Sequence, residues 1–211
     1  MAPARQSEPV RQDQIVAAAR ALIEAGGVEA LSMRKLAADV GVAPTAIYWH
    51  VGSREDLLNA VLDAMIADLP SIAARGTTPR ARLASVARSI RDQVRSTTPT
   101  QQLAAELGRT AELSFPGQVA LTREMQAAGV EGAEAAQAVR ALLFLVGGFI
   151  LLEDNFAHRQ PGSRTTQELW QALGSDESCI DPALRKAMSR PANTDSLFDY
   201  AVDRLLASIL G

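Results

Sequence analysis

Apolar residues recur at helical spacing along most of the chain, and the stops between them are glycines and prolines. Ile15, Val16, Ala19, Leu22 and Ile23 form one stripe, which predicts an amphipathic helix over about residues 11–25, closed by Gly26-Gly27. Ser32 is a good N-cap and Gly41 a breaker, so a short helix is expected over 33–40. A second short helix is expected from residue 44 or 45 to 50, because proline is tolerated in a first helical turn. Ser53 opens the next helix. Glu55 and Asp56 complement its positive end, Leu57, Leu58, Val61, Leu62, Met65 and Ile66 form its buried stripe, and Pro70 stops it.

Beyond Pro70 the predicted helices cover residues 79–95, 100–113, 117–128, 133–157, 166–173, 182–188 and 194–210, with a turn at Phe115-Pro116-Gly117. No segment alternates with the period of a strand, and no internal repeat is visible. The fold class expected is all-α: an N-terminal three-helix helix-turn-helix domain plus a C-terminal helical domain.

Composition narrows the chemistry. Among 211 residues there are 38 alanines, and lysine appears only at Lys35 and Lys186, leaving 19 arginines. Such a composition favours helix. One cysteine, Cys179, excludes a disulfide framework and any multi-cysteine zinc site within a chain. Two histidines, His50 and His158, leave little for histidine-based metal chemistry. The N-terminus lacks the apolar core of a secretory signal. The longest uncharged apolar stretch, residues 141–152, is short of the roughly 20 residues a membrane span needs, so it is expected to be a buried core helix. No membrane partner and a cytoplasmic location follow as expectations.

The stretch LSMRKLAADVGVAPTAIYWHVGSRED, residues 31–56, carries the most specific signal. A helix-turn-helix needs a small residue where its helices cross, a glycine in the turn and an apolar pin from the second helix. Ala37, Gly41 and Ile47 supply these, and Leu36, Val40, Val42, Ile15, Leu22 and Leu58 supply the surrounding core. Tyr48, Trp49 and His50 are consecutive, so they span roughly 200° of helical arc and cannot all point inward. Some of them must face solvent or a partner, as a recognition helix requires. The competing reading is a helical small-molecule-binding protein or enzyme with an incidental helix-turn-helix. A regulator without an inducer is a third.

The pattern over residues 10–70 resembles the N-terminal domain of TetR-family transcriptional regulators, and Tyr48-Trp49-His50-Val51 resembles the tetracycline repressor subclass. VGGFILLEDNFAH, residues 146–158, is similar to the long interface helix of that subclass. The resemblance implies a DNA-binding domain over 10–70 and a ligand-binding and dimerisation domain over 71–211. It also implies a homodimer on a pseudo-palindromic double-stranded DNA operator, most simply as a repressor released by a small-molecule effector. By position, Arg34 matches a base-reading residue, and arginine pairs bidentately with guanine. Thr45 and Ala46 match base contacts, Tyr48 and His50 match phosphate or thymine-methyl contacts, and Arg54 matches a backbone contact. Trp49 matches a partly packing, partly groove-facing position. Pro44 departs from that repressor's hydrogen-bonding side chain and cannot donate to a base, so the operator is expected to differ.

The C-terminal part contains no catalytic constellation, so no enzyme activity, cofactor or metal is expected. Glu153, Asp154 and His158 share a helix but supply two metal ligands at most, and Cys179 is read as a bystander. Family resemblance places dimerisation on the helices over 133–157 and 194–210. Leu142, Leu145, Val146, Phe149, Leu152, Leu205, Leu206 and Ile209 offer more apolar surface there than one small bundle buries. Candidate effector-lining residues are Met65, Arg91, Phe144, Phe149, Asn155 and Trp170. The metal-bound tetracycline mode is not expected, since residues 95–113 hold no histidine.

Overall fold

The computed structural model of the chain describes residues 10–157, 162–173 and 180–211, with backbone alone at 155–157. His158 and Cys179 lie outside the described residues, as does the side chain of Asn155. The described residues hold helices and no strand, in two compact units. The first unit combines residues 10–73 with Asp92–Ala120, and the second combines Ala74–Arg91 with the described residues from Leu121 to Gly211.

The first unit opens with α1, Gln12–Gly26, and a single 3-10 turn, Val28–Ala30. Helices α2, Met33–Val40, α3, Pro44–Val51, and α4, Arg54–Ala67, follow. Their apolar stripes meet in one core in which Ile15, Ile23, Leu36, Ile47, Leu57 and Leu62 are fully buried. Helix α6, Thr98–Glu106, lays Leu103 and Ala104 into that same core, which is why residues from a distant part of the chain join this unit.

The expected turn at Phe115-Pro116-Gly117 is corrected. Helix α7 runs unbroken over Thr110–Ala127 with Pro116 inside it. The break sits earlier. Gly108 takes φ 68°, the Gly108 N–H donates to the Ala105 carbonyl at 3.2 Å, and the Arg109 N–H donates to Ala104 at 2.7 Å. This pair of bonds ties off the last carbonyls of α6 around a left-handed residue, which glycine adopts without cost. With the stop made there, Pro116 costs α7 one backbone hydrogen bond but does not end it.

The second unit is built from the first part of α5, Pro79–Ser96, the last part of α7, α8, Gly132–Ala157, and α11, Thr194–Leu210. Leu142 and Val146 of α8 and Phe198, Val202 and Leu206 of α11 are buried. Arginines of α5 reach three aspartates spaced one helical turn apart on α11: Arg80 to Asp203 at 2.5 Å, Arg88 to Asp199 at 2.6 Å and Arg91 to Asp195 at 2.8 Å. Two short helices, α9, Thr166–Ala172, and α10, Pro182–Met188, bury none of their residues.

Helix α8 corrects the expectation of a buried core helix. Its segment Gly132–Asp154 is 23 residues, long and apolar enough by composition to cross a membrane, and only 28% of an apolar 18-residue stretch within it is buried. One face packs on α11, while Phe144 is 83% exposed and Leu151 and Leu152 are also exposed.

Candidate nucleic-acid interface

Local chemistry sets each end of the α2–α3 pair. The Ser32 hydroxyl accepts from the Lys35 N–H at 3.2 Å, fixing the start of α2. Gly41 ends it at φ 77°, with the Val42 N–H donating to the Ala37 carbonyl at 3.0 Å. Pro44 begins α3 where a missing N–H is harmless. Ile47 and Val51 then point into the core and pin the helix.

With those two residues inward, the opposite face is committed outward. Pro44, Thr45 and His50 are exposed, Ala46 is half-buried, Tyr48 is 50% exposed and Trp49 is 90% exposed. Trp49 and its neighbour Tyr48 thus leave a large aromatic surface in water. Arg34 and Lys35 are exposed on α2 and enter no ion pair among the described residues. Helix α3 is eight residues, about 12 Å, a length that fits within a major groove.

The start of α4 is held by a reciprocal cap. The Ser53 N–H donates to Asp56 Oδ2 at 2.8 Å, and the Asp56 N–H donates back to Ser53 Oγ at 3.1 Å. The Ser53 hydroxyl also donates to Asp56 at 2.7 Å, and these bonds hold the Asp56 carboxyl below its ordinary range. Arg54, the first residue of α4, is exposed, and its guanidinium lies 3.7 Å from the carboxylate of Glu106 at the end of α6. In the turn after α6, Arg109 donates to Asn59 at 3.0 Å, Asp63 at 2.7 Å and Glu112 at 2.6 Å. Hydrogen bonds donated to Glu112 first and Asp63 second raise the Arg109 pKa, and Arg109 in turn lowers that of Glu112. Neither Glu106 nor Arg109 carried a signal in the sequence, because both act on residues about 50 positions away.

The candidate effector-lining residues are divided between the two units. Met65 is buried in the core of the first unit, whereas the others belong to the second. Arg91 is buried, paired with Glu153 and Asp195, and lies 4.6 Å from the centre of the Phe198 ring. Burial works against its charge, but Glu153 and Asp195 outweigh that and its pKa is raised. Phe149 meets Phe198 edge-on at 5.2 Å. Trp170 is half-buried on α9. Phe144 stands on the exposed face of α8. A cavity of about 300 Å³ in the second unit is lined by Pro79, Arg80, Ala128, Leu206 and Leu210 among others. Among the described residues no group of three acidic, histidine or cysteine side chains is placed to hold a metal ion.

This geometry, an outward-facing second helix on a three-helix core, is that of a helix-turn-helix domain. The sequence profile of bacterial regulatory proteins of the tetR family matches residues 15–61. An HTH-type transcriptional regulator from Saccharopolyspora erythraea is 45% identical over 58 residues, covering 28% of this chain and 25% of the relative. A tetracycline repressor protein of class A from Escherichia coli is 37% identical over 59 residues, covering 28% and 27%. These matches therefore span about a quarter of the relatives' own length. The TetR family protein ActR of Streptomyces coelicolor, solved in complex with actinorhodin, has the same fold, with 21% identity, a TM-score of 0.64 and coverage of 96% and 98%. Over residues 15–61 the chain is therefore similar to the N-terminal domain of bacterial regulatory proteins of the tetR family.

Proposed function

We propose that the protein is a DNA-binding transcriptional regulator that acts as a homodimer, represses by occupying a pseudo-palindromic operator, and leaves it when a small molecule binds. The observation that carries this reading is the α3 face: Trp49 and Tyr48 are held outward because Ile47 and Val51 are held inward. Arg34, Thr45 and Ala46 read base edges, with Trp49 and Pro44 against the groove; Tyr48 and His50 contact phosphates or thymine methyls, and Arg54 contacts the backbone. Residues 10–70 bind DNA, and residues 71–211 dimerise and bind the effector.

The dimer is supported by the exposed face of α8, where Ala141, Phe144, Gly147, Gly148 and Leu151 lie at helical spacing. Leu197 and Tyr200 of α11 are exposed as well. A second copy covers this surface better than a bilayer does. Glu134 and Arg140 lie within the span, and its other face packs on α11. A two-fold dimer carries its recognition helices about 34 Å apart, one turn of DNA. That ActR was solved with actinorhodin supports an effector. Its leverage is the difference in its affinity for the DNA-competent and incompetent states. The protein is read as cytoplasmic and not an enzyme.

The deciding experiment selects genomic fragments with the purified protein and repeats the selection with a panel of small molecules. The expected result is enrichment of fragments sharing an inverted repeat, abolished by some compounds. Enrichment no greater than that of a Trp49→Ala, Arg34→Ala variant would overturn the reading.

A further inference from the structure

Arg54 and Glu106 come from different parts of the first unit and meet only through the fold. Arg54 is the first residue after the α3–α4 turn, and Glu106 closes α6, whose Leu103 and Ala104 are anchored in the core. Arg109 fixes the turn that follows to Asn59 and Asp63 of α4, so the Glu106 backbone cannot drift from α4. A carboxylate at the C-terminal end of a helix faces the negative end of the dipole. The Arg54 cation, 3.7 Å away, is what offsets that. Both side chains are 44% exposed, so the pair is weak and open to competition.

The geometry points to Glu106 as a built-in competitor for the phosphate that Arg54 contacts. In the free protein Glu106 shares the Arg54 guanidinium, and on the operator a phosphate takes it over and leaves the carboxylate beside the DNA. Helix α6 thereby sets operator affinity without touching a base. This rests on the reading of α2–α3 as the DNA-reading pair.

The test is a double-mutant cycle on a selected operator fragment, with affinities read by fluorescence anisotropy for wild type, Glu106→Gln, Arg54→Ala and the double variant. Both positions are exposed, and unchanged thermal unfolding confirms that the variants fold. Glu106→Gln is expected to tighten binding about two- to fivefold per protomer in the wild-type background, the range of an exposed ion pair. In the Arg54→Ala background the same substitution is expected to change affinity less than twofold. Equal tightening in both backgrounds would reduce Glu106 to a diffuse negative charge, and no tightening in either would remove it from DNA binding; each overturns the inference. Wild type that binds no DNA at all fails the underlying reading instead, and the inference falls with it.

Discussion

Ile47 and Trp49 are two residues apart on one eight-residue helix and are expected to fail in opposite ways when truncated to alanine. Ile47 is fully buried and Trp49 is 90% exposed. Ile47→Ala removes atoms from a packed core and leaves a cavity, costing about 2–5 kcal/mol. Trp49→Ala gives up only the tenth of the side chain that is covered, on the order of 20 Å², or about 0.5 kcal/mol. For a chain of this size a kilocalorie moves Tm by about 2–4 °C, so the first variant loses roughly 5–15 °C and the second less than about 2 °C. Operator binding reverses the order. At about 1–2 kcal/mol for truncating an interface anchor, a dimer using Trp49 twice loses roughly 30- to 1,000-fold in affinity. Calorimetry and fluorescence anisotropy on the same preparations read both quantities. A Tm drop for Trp49→Ala comparable to that of Ile47→Ala would mean the tryptophan is packed, and undiminished affinity would mean α3 is not the reading helix.

Ser53→Ala removes a reciprocal cap and is expected to cost about 0.5–2 kcal/mol in thermal unfolding at neutral pH. Because the folded Asp56 carboxyl titrates below its ordinary value of 3.8, its stabilising contribution is present above that value and lost as pH falls through the folded one. Acid unfolding curves of wild type and Asp56→Asn should therefore converge below pH 3.8, and curves that stay parallel would refute the assigned bonds. Gly41→Ala meets no atom within 4 Å, so its expected cost of about 1–2 kcal/mol is backbone strain alone, and Gly41→Asn should recover much of it in the same melt. Phe144→Glu places a charge on the exposed face of α8 and is expected to convert the proposed dimer to monomer by sedimentation, with fold intact by circular dichroism and operator affinity greatly reduced.

What the sequence announced and what it hid differ by the distance over which the signal acts. Ser32, Gly41, Pro44 and Ser53 work within three or four residues through caps, a left-handed turn and a restricted φ, and the ends of α2, α3 and α4 fall where those residues put them. Pro116 misleads for the same reason. It reads as a stop, but the stop is already made by Gly108, and nothing local says which of two breakers the chain uses. The apolar run in α8 is legible as helix, whereas which of its faces meets α11 depends on packing that no periodicity encodes. Asp195, Asp199 and Asp203 form a visible stripe on α11, but their arginine partners lie more than 100 residues earlier on α5.

Those ion pairs also decide how the net charge of −3 bears on DNA. Arg34, Lys35 and Arg54 against Asp39 give +2 over residues 32–54, so the rest of the chain carries −5. In the second unit Arg80, Arg82, Arg88 and Arg91 each sit on an aspartate or glutamate, and a guanidinium so engaged offers little to a phosphate. The cations of α2 have no such partner among the described residues, and Arg54 has a weak one. An acidic body repels DNA that the small basic face does not fit, so nonspecific affinity is expected to be low. Few phosphate contacts per protomer also mean that the salt dependence of operator binding is set by them almost alone. Losing Arg54 from both halves of a dimer is then expected to reduce the slope of log affinity against log salt by about 2. A slope unchanged by Arg54→Ala would place the electrostatic contact elsewhere and leave Glu106 with nothing to compete for.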